Sequence, residues 1–300
     1  MSRCYPRHDG KKNDRADISA PGYPSQLRPL FVETTAHVDR ALGAPEVRRE
    51  LEQLLAAHEG WSSRYVLMEF RRTAVHALEV ARRLAALAPD DHTMFSWMLR
   101  AIDRGHGGQG RLLSPRERGR SRAAVYMAME KLGCTPAVRA VVVGLLSATI
   151  QLVETLAWAG IKRVVDETDC DLVRPERLQG QRWPLSCNVR LAQCRQSIFL
   201  DHHRPELAAV LAECQADREF DDAKMLEVLR AVVSAVPLKA TGQRRCWALG
   251  DLIIGLEAHS AGQLLSSNGK HYGPICRALG VTLVTYSPYP SPRQWLTDGV

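Results

Sequence analysis

The sequence predicts an α/β fold, because helical and strand patterns alternate at both ends of the chain. In the stretch from 246 to 286, four apolar residues have the spacing of one helix face: Leu249, Leu252, Ile253 and Leu256. A brief apolar run at 264–265, turn residues at 266–269, a second helix and a β-branched run at 281–284 follow. Near the other end, the apolar run 30–32 predicts a first strand. These patterns indicate strands flanked by helices.

Two helices are predicted between this first strand and residue 90. The first begins after Pro45 and runs to about His58, where Gly60 is expected to stop it. The second is long, with Ser62 or Ser63 as its N-cap, and it reaches Leu87 before a proline. Acidic residues occur beside these elements: Glu33 follows the first strand, and Glu69 lies in the long helix.

The C-terminal stretch resembles the second half of toxin-type PIN-domain nucleases. Those proteins have a D-x-x-I-x-x-x-A helix, then a strand and a polar turn that ends in an aromatic residue. The positions that carry the resemblance span about forty residues: Asp251, Ile254, Ala258, Leu265, Ser267, Asn268, His271 and Tyr272. The resemblance implies a short parallel sheet flanked by helices, formed by a PIN-like core of residues 28–90 and 220–290. Asp251 is then expected near the start of its helix.

The same resemblance implies a metal-binding site. PIN domains end their first strand in D-T-S/T, and this chain has Glu33-Thr34-Thr35 there, with a glutamate one methylene longer than the usual aspartate. The resemblance implies that four matched residues are catalytic: Glu33, Glu69 and Asp251 as ligands of Mg²⁺ or Mn²⁺, and Asn268 as a residue that holds a metal-bound water. Thr34 and Ser267 are then expected as supporting hydrogen-bond donors. Carboxylates held together without a cation would repel one another, so such a cluster favours a bound metal.

Each of these residues also has a purely structural interpretation. Glu33 and Thr34 would then simply end a strand, with Thr35 capping the next helix. Glu69 and Arg72, three residues apart on one helix face, would form an ordinary surface ion pair. The functional interpretation instead places Arg72 near a phosphate.

Between the two parts of the core, residues 91–219 are expected to form a mostly α-helical insertion. A helix is predicted over 137–165 within it. The loop 100–122 is rich in arginine, which binds phosphates bidentately and so suits nucleic acid; the candidates are Arg111, Arg116, Arg118 and Arg120. A charged surface loop without function is the alternative. No aromatic residue alternates with these arginines, so base stacking is not expected there.

Charge and the resemblance together favour RNA as the partner. The chain has 300 residues, a net charge of +7 and a pI near 9.1, which fits a polyanion. We therefore expect a metal-dependent endoribonuclease that acts on tRNA or other RNA, related to toxins or defence effectors. An inhibitory antitoxin-like protein and a homo-oligomer are further possible partners. Two alternatives stay open: a PIN-like binding module with a degenerate site, or a wholly helical regulator.

The remaining features predict a cytoplasmic protein with two tails. Residues 1–27 form a basic, polar tail without the apolar segment of a secretory signal, and 291–300 form a second tail. We expect no membrane span, because the most apolar run is short and contains polar residues. The eight cysteines have no C-x-x-C pair, so reduced thiols are expected. Zinc held by cysteines and histidines of 170–214 stays an alternative, although no common ligand spacing occurs there.

Overall fold

The structure is a computed structural model. It describes residues 27–87, 97, 106–107, 111–112, 139–170, 194–236 and 242–288. Within these ranges the strands are β1 (Pro29–Val32), β2 (Glu59–Ser63), β3 (His106–Gly107), β4 (Arg111–Leu112), β5 (Ile161–Val165), β6 (Gln263–Ser266) and β7 (Thr282–Thr285). The α-helices are α1 (Thr34–Leu42), α2 (Pro45–Ala56), α3 (Arg64–Phe70), α4 (His76–Leu87), α5 (Arg139–Trp158), α6 (Arg195–His202), α7 (Arg204–Ala216), α8 (Ala223–Val233), α9 (Gly242–His259) and α10 (Gly269–Leu279).

A parallel sheet with the strand order β5-β2-β1-β6-β7 organises the chain. Helices precede or follow each of its strands, so the prediction of an α/β fold with a parallel sheet flanked by helices is confirmed. The strands β3 and β4 form a separate antiparallel pair. From β1 the chain builds the sheet outward through β2 and β5, then returns to place β6 on the other side of β1. The carboxyl ends of β1 and β6 therefore form the switch point, where open α/β sheets bind ligands.

The central strand β1 is buried on both faces, as expected for a parallel sheet covered by helices. Phe31 belongs to the cluster that contains Trp61, Leu264 and apolar residues of α6 to α10. Leu30 and Val32, which alternate with Phe31, pack on the opposite face with residues of α2. A further cluster joins α1, α4 and α5. This packing fixes the position of β1 and therefore the position of Glu33, the residue that follows it.

The sequence did not predict β2, because Gly60 was expected to stop a helix. A Cβ at this position would lie 2.7 Å from the carbonyl oxygen of Gly160, in the turn before β5. A residue without a side chain is needed here so that the two strands can approach. Gly60 therefore lies within β2 and does not mark a helix stop, and the helix before it ends earlier, at Ala56.

The helix predicted over 137–165 is wrong in its last part. It ends at Trp158, Gly160 adopts a positive φ of 78°, and the chain then forms β5. The range 91–219, expected to be a mostly helical insertion, thus contributes an edge strand to the main sheet. The β-branched residues Ile161, Val164 and Val165 are the signal for a strand that the apolar helix pattern obscured.

Two further helix predictions need correction. Asp251 lies well inside its helix and not near the start, because α9 already begins at Gly242. The long helix expected from Ser63 to Leu87 is divided into α3 and α4 by a π-helical segment, Arg71–Val75. Ser63 is the N-cap of α3, as predicted, and its side chain accepts a hydrogen bond from Val66 N at 3.1 Å. Among the described residues, no helix combines the length and apolarity that spanning a membrane requires.

Glu257, on α9, is a buried carboxyl with an unusual environment. Its side chain is fully buried, and neither oxygen has a hydrogen-bond partner of normal geometry. Burial raises the pKa of Glu257 to about 8, and the negative charges of Glu167 and Asp166 act in the same direction. The Ser63 hydroxyl and the Glu167 backbone oppose this rise only in part. Because the ordinary pKa is 4.5, folding favours the protonated form.

We predict that Glu257→Gln stabilises the fold by an amount that grows with pH. In the parent protein, the contribution of Glu257 is fully present below its ordinary pKa of 4.5 and is lost as pH rises toward about 8. The amide does not ionise, so the difference in Tm between variant and parent should widen between pH 5 and pH 8, while the exposed control Glu227→Gln shows no such trend. Parallel Tm curves for Glu257→Gln and the parent would contradict this assignment.

Candidate active site

Three carboxylates converge at the carboxyl edge of the sheet, and we call them the acid cluster: Glu33, Glu69 and Asp251. Glu33 follows β1, Glu69 lies in α3 after β2, and Asp251 lies in α9 before β6. Burial raises the pKa of Glu33, and the charges of Glu69 and Asp251 are close enough to add to the rise. Burial likewise raises the pKa of the Tyr272 hydroxyl, and the charges of all three acids add to it. The fold thus joins residues that are far apart in the sequence.

Glu33 is the most deeply buried acid of the cluster, with 2% of its surface exposed. It is the N-cap of α1: its Oε2 accepts a hydrogen bond of 2.6 Å from Thr35 N, and its Oε1 accepts one from the Thr35 hydroxyl. The Ser266 hydroxyl donates to the same Oε1 at 2.9 Å. Burial raises the pKa of Glu33 to about 8, and the donors Thr35 and Ser266 counteract the rise only in part.

Glu69 projects from α3 toward the same edge and is half-buried. The Thr34 hydroxyl donates to its Oε2 at 2.5 Å, which links the start of α1 to α3. Glu69 also lies against α9, because a Cβ placed on Gly250 would be 3.5 Å from Glu69 Oε1. The neighbouring Asp251 therefore sits beside Glu69, and the glycine allows this close approach of the helix.

Asp251 is held by two consecutive residues of α10. The hydroxyl of Tyr272 donates to Asp251 Oδ1 at 3.0 Å, and His271 Nδ1 lies 3.4 Å from Asp251 Oδ2. The other ring nitrogen of His271, Nε2, lies 3.5 Å from Asp222 Oδ2. The hydrogen bond with Asp251 raises the pKa of His271, and the charge of Asp222 adds to it. Asp222 is the N-cap of α8, where its side chain accepts a hydrogen bond from Met225 N at 2.8 Å.

Tyr272 and Ser266 are site residues whose roles the sequence did not reveal. Tyr272 is buried, and burial together with the three acids raises the pKa of its hydroxyl well above the ordinary value, so it stays a donor. Ser266 is buried at the end of β6 and accepts a 2.9 Å hydrogen bond from Asn268 N while donating to Glu33. The aromatic position and the polar turn were visible in the sequence, but the partners of these hydroxyls depend on strand order.

The remaining predicted residues divide into those near the site and those that the structure does not place. Asn268 is the N-cap of α10, and Ser267 Oγ lies 3.2 Å from Thr35 Oγ1. Arg72 lies in the π-helical segment, and its Nη1 is 3.8 Å from Met68 Sδ in α3. For Arg111 the structure describes only its backbone, in β4. Three candidates for RNA binding lie outside the described residues: Arg116, Arg118 and Arg120.

The donor chemistry of the acid cluster fits a hard divalent cation, but the geometry fits only in part. Mg²⁺ and Mn²⁺ prefer carboxylate oxygens. In the described ranges, no three His, Cys, Asp or Glu side chains are placed to hold one ion together. Part of the range that the zinc alternative involves, 171–193, lies outside the described residues. Glu33 does not fit as a ligand, since it is 2% exposed and its two oxygens accept three hydrogen bonds from Thr35 and Ser266. Glu69 and Asp251 also accept hydrogen bonds but are partly exposed, and they do fit, because Mg²⁺ commonly uses one or two carboxylates and keeps several waters.

Comparison with known proteins returns no matching family model, no matching curated protein and no matching solved structure.

We predict that Gly250→Ala destabilises the protein, because the site is packed against this glycine. Its new Cβ would lie 3.0 Å from the Tyr65 hydroxyl and 3.5 Å from Glu69 Oε1, and Tyr65 is fully buried. Urea unfolding should show a loss of about 1–3 kcal/mol, the usual effect of overpacking.

Gly144→Ala is the matched control, because Gly144 is also helical and a Cβ there meets no atom within 4 Å. It should gain roughly 0.5–1 kcal/mol from the helix propensity of alanine. Equal gains at both glycines would refute the close packing of α9 on Glu69.

Proposed function

We propose that this chain is a metal-dependent endoribonuclease built on a PIN-like core. The observation that carries the proposal is the convergence of the acid cluster at the switch point between β1 and β6. Residues with acidic side chains at the ends of parallel strands are well placed to act on a ligand that binds there. The core consists of 28–90 and 220–290, with β5 completing its sheet.

Glu69 and Asp251 are the residues that would hold Mg²⁺ or Mn²⁺. The bound ion would activate the attacking water and neutralise the charge of the leaving oxygen in phosphodiester hydrolysis. Tyr272 and His271 orient Asp251 by contacting its two oxygens. Thr34 orients Glu69 in the same way. Such hydrogen bonds to ligating carboxylates fix their geometry, as supporting residues do in characterised metal sites.

RNA as the substrate is supported by charge and by the resemblance to toxin-type PIN domains. The net charge of +7 favours association with a polyanion. The arginine-rich range 100–122 would supply phosphate contacts outside the acid cluster, with tRNA or another RNA as substrate. If the chain acts as a toxin or defence effector, an antitoxin-like protein would restrain it, and a homo-oligomer would be compatible with this role.

A second candidate function is supported by the position of Glu33. Its carboxyl is engaged with its own helix and with β6, and in the described residues no three potential ligands surround one point. A PIN-like protein with a degenerate site would have this arrangement and would bind nucleic acid or a protein without cutting RNA. The two candidates differ in whether Glu69 and Asp251 support catalysis.

We predict that the purified protein cleaves tRNA or single-stranded RNA with Mg²⁺ or Mn²⁺ and that excess EDTA abolishes the cleavage. Asp251→Asn should reduce the rate by roughly a hundredfold or more, because losing a ligand exceeds the roughly 10–100-fold effect of losing a supporting residue. The control Asp201→Asn changes an exposed aspartate on α6 and should retain the parent rate.

Two results would count against the nuclease. Cleavage that persists in EDTA and in Asp251→Asn would show a contaminating or unrelated activity. Parent and Asp251→Asn proteins that are equally inert on broad RNA panels, yet both bind RNA in a filter assay, would favour the binding module.

A further inference from the structure

We infer that Glu33 is a positioning residue: it caps α1 and joins β1 to β6, and it does not bind the cation of the site. The statement about the cation rests on the proposed function. The roles of Glu33 as cap and junction rest on its hydrogen bonds alone and do not depend on the proposed function. Together they divide the acid cluster into one fully buried carboxyl, Glu33, and two partly exposed ones, Glu69 and Asp251.

The first observation is that Glu33 folds back on its own helix. Its backbone is extended, with φ of −85° and ψ of 174°, and its Oε2 accepts from Thr35 N at 2.6 Å. This bond satisfies one of the amide groups that a helix leaves without a partner in its first turn. The Thr35 hydroxyl donates to the other oxygen, Oε1. An anionic or polar oxygen at this position also interacts favourably with the helix dipole.

The second observation is that Glu33 reaches across the switch point. Ser266, 233 residues further along the chain, donates to Glu33 Oε1 at 2.9 Å. A carboxyl oxygen has two lone pairs, and the hydroxyls of Thr35 and Ser266 direct two donors at this one. With Thr35 N on Oε2 and 2% of the residue exposed, the carboxyl is enclosed by protein donors.

The third observation is that this junction continues into the residues that hold Asp251. Ser266 accepts a hydrogen bond from Asn268 N at 2.9 Å, and Asn268 is the N-cap of α10. The first turns of α10 contain His271 and Tyr272, the two residues in contact with Asp251. Glu33 therefore sets the position at which α10 begins, and through it the orientation of Asp251.

The length of the glutamate side chain explains this role. An additional methylene, compared with aspartate, lets the carboxyl turn back to the first turn of α1 and still reach β6. The substitution of glutamate for the aspartate found in PIN domains is therefore a change of role, from ligand to structural junction, and not a lengthened ligand.

A double-mutant cycle in EDTA tests the junction without any metal. Glu33→Met keeps the length of the side chain but removes its oxygens, and Ser266→Ala removes the cross-strand donor. The cycle is measured near pH 5, close to the ordinary pKa of Glu33, so that the ionisation penalty of the parent is small. Each variant should then lower the urea midpoint, with the unfolding equilibrium constant rising roughly fivefold, the size of a typical N-cap loss. The double variant should lose clearly less than the two single losses combined, because both remove one interaction.

The control cycle pairs Glu33→Met with Ser147→Ala, since the Ser147 hydroxyl donates to Val143 O within its own helix, α5. Its two losses should add. Additive losses for Glu33→Met and Ser266→Ala would overturn the junction. If Glu33→Met does not fold, Glu33→Gln replaces it in the cycle and is expected to show the same direction of coupling.

Added Mn²⁺ tests the statement about the cation. An ion that binds only the folded state stabilises it by an amount that grows with the logarithm of the ion concentration above Kd, so the Tm of the parent should rise with Mn²⁺. Glu33→Gln should show the same rise as the parent, and Asp251→Asn should show little or none. A rise that is lost in Glu33→Gln would make Glu33 a ligand and overturn the inference. If Mn²⁺ does not stabilise the parent either, the metal-dependent nuclease fails, while the cycle in EDTA still decides whether Glu33 is the junction.

Discussion

The pairing of β1 with β6 is the interaction on which the rest of this structure depends. Phe31 and Val32 pair with Leu264 and Leu265, and Glu33 N extends the contact to Leu265 O at 3.3 Å. The two strands come from opposite ends of the chain, so their pairing closes a very long loop before it gains any contacts. Once formed, the pairing of β1 with β6 joins the helices that pack on the two faces of the sheet and creates the switch point.

The pairing of β1 with β6 brings the acid cluster together, and the repulsion between the acids in turn makes this pairing less favourable. Burial and, to a smaller extent, the charges of Glu69 and Asp251 raise the free energy of the ionised Glu33, and the raised pKa of Glu33 expresses both effects. Each acid accepts a hydrogen bond from at least one hydroxyl group, which stabilises its charged form. The hydroxyl of Tyr272 bonds Asp251, and its pKa is raised by burial and also by the charges of all three acids, which lie close to it. The result is an edge of the sheet at which charge is concentrated and held in place, an arrangement suited to a cation and a phosphate.

Sequence patterns predicted the class of fold, and the resemblance to PIN domains pointed to the acids, but neither predicted the hydrogen bonds of Glu33. Helical spacing and β-branched runs depend on neighbouring residues, so α9, β6 and β7 were accessible. The strands β2 and β5 were missed because Gly60 is locally typical of a helix stop, and 161–165 continues the apolar pattern of α5. Only the close approach of the two segments in the folded chain makes both of them strands. The role of Glu33 was missed for a similar reason: its partner Ser266 is brought to it by strand order, which no local pattern contains.

A crystal structure grown with Mn²⁺ and analysed for anomalous scattering would test the central claim most directly. Our account predicts an anomalous peak coordinated by Glu69 and Asp251, with Glu33 still hydrogen-bonded to Thr35 and Ser266. A structure in which the acid cluster does not form at the junction of β1 and β6, or in which manganese is bound elsewhere or not at all, would contradict it.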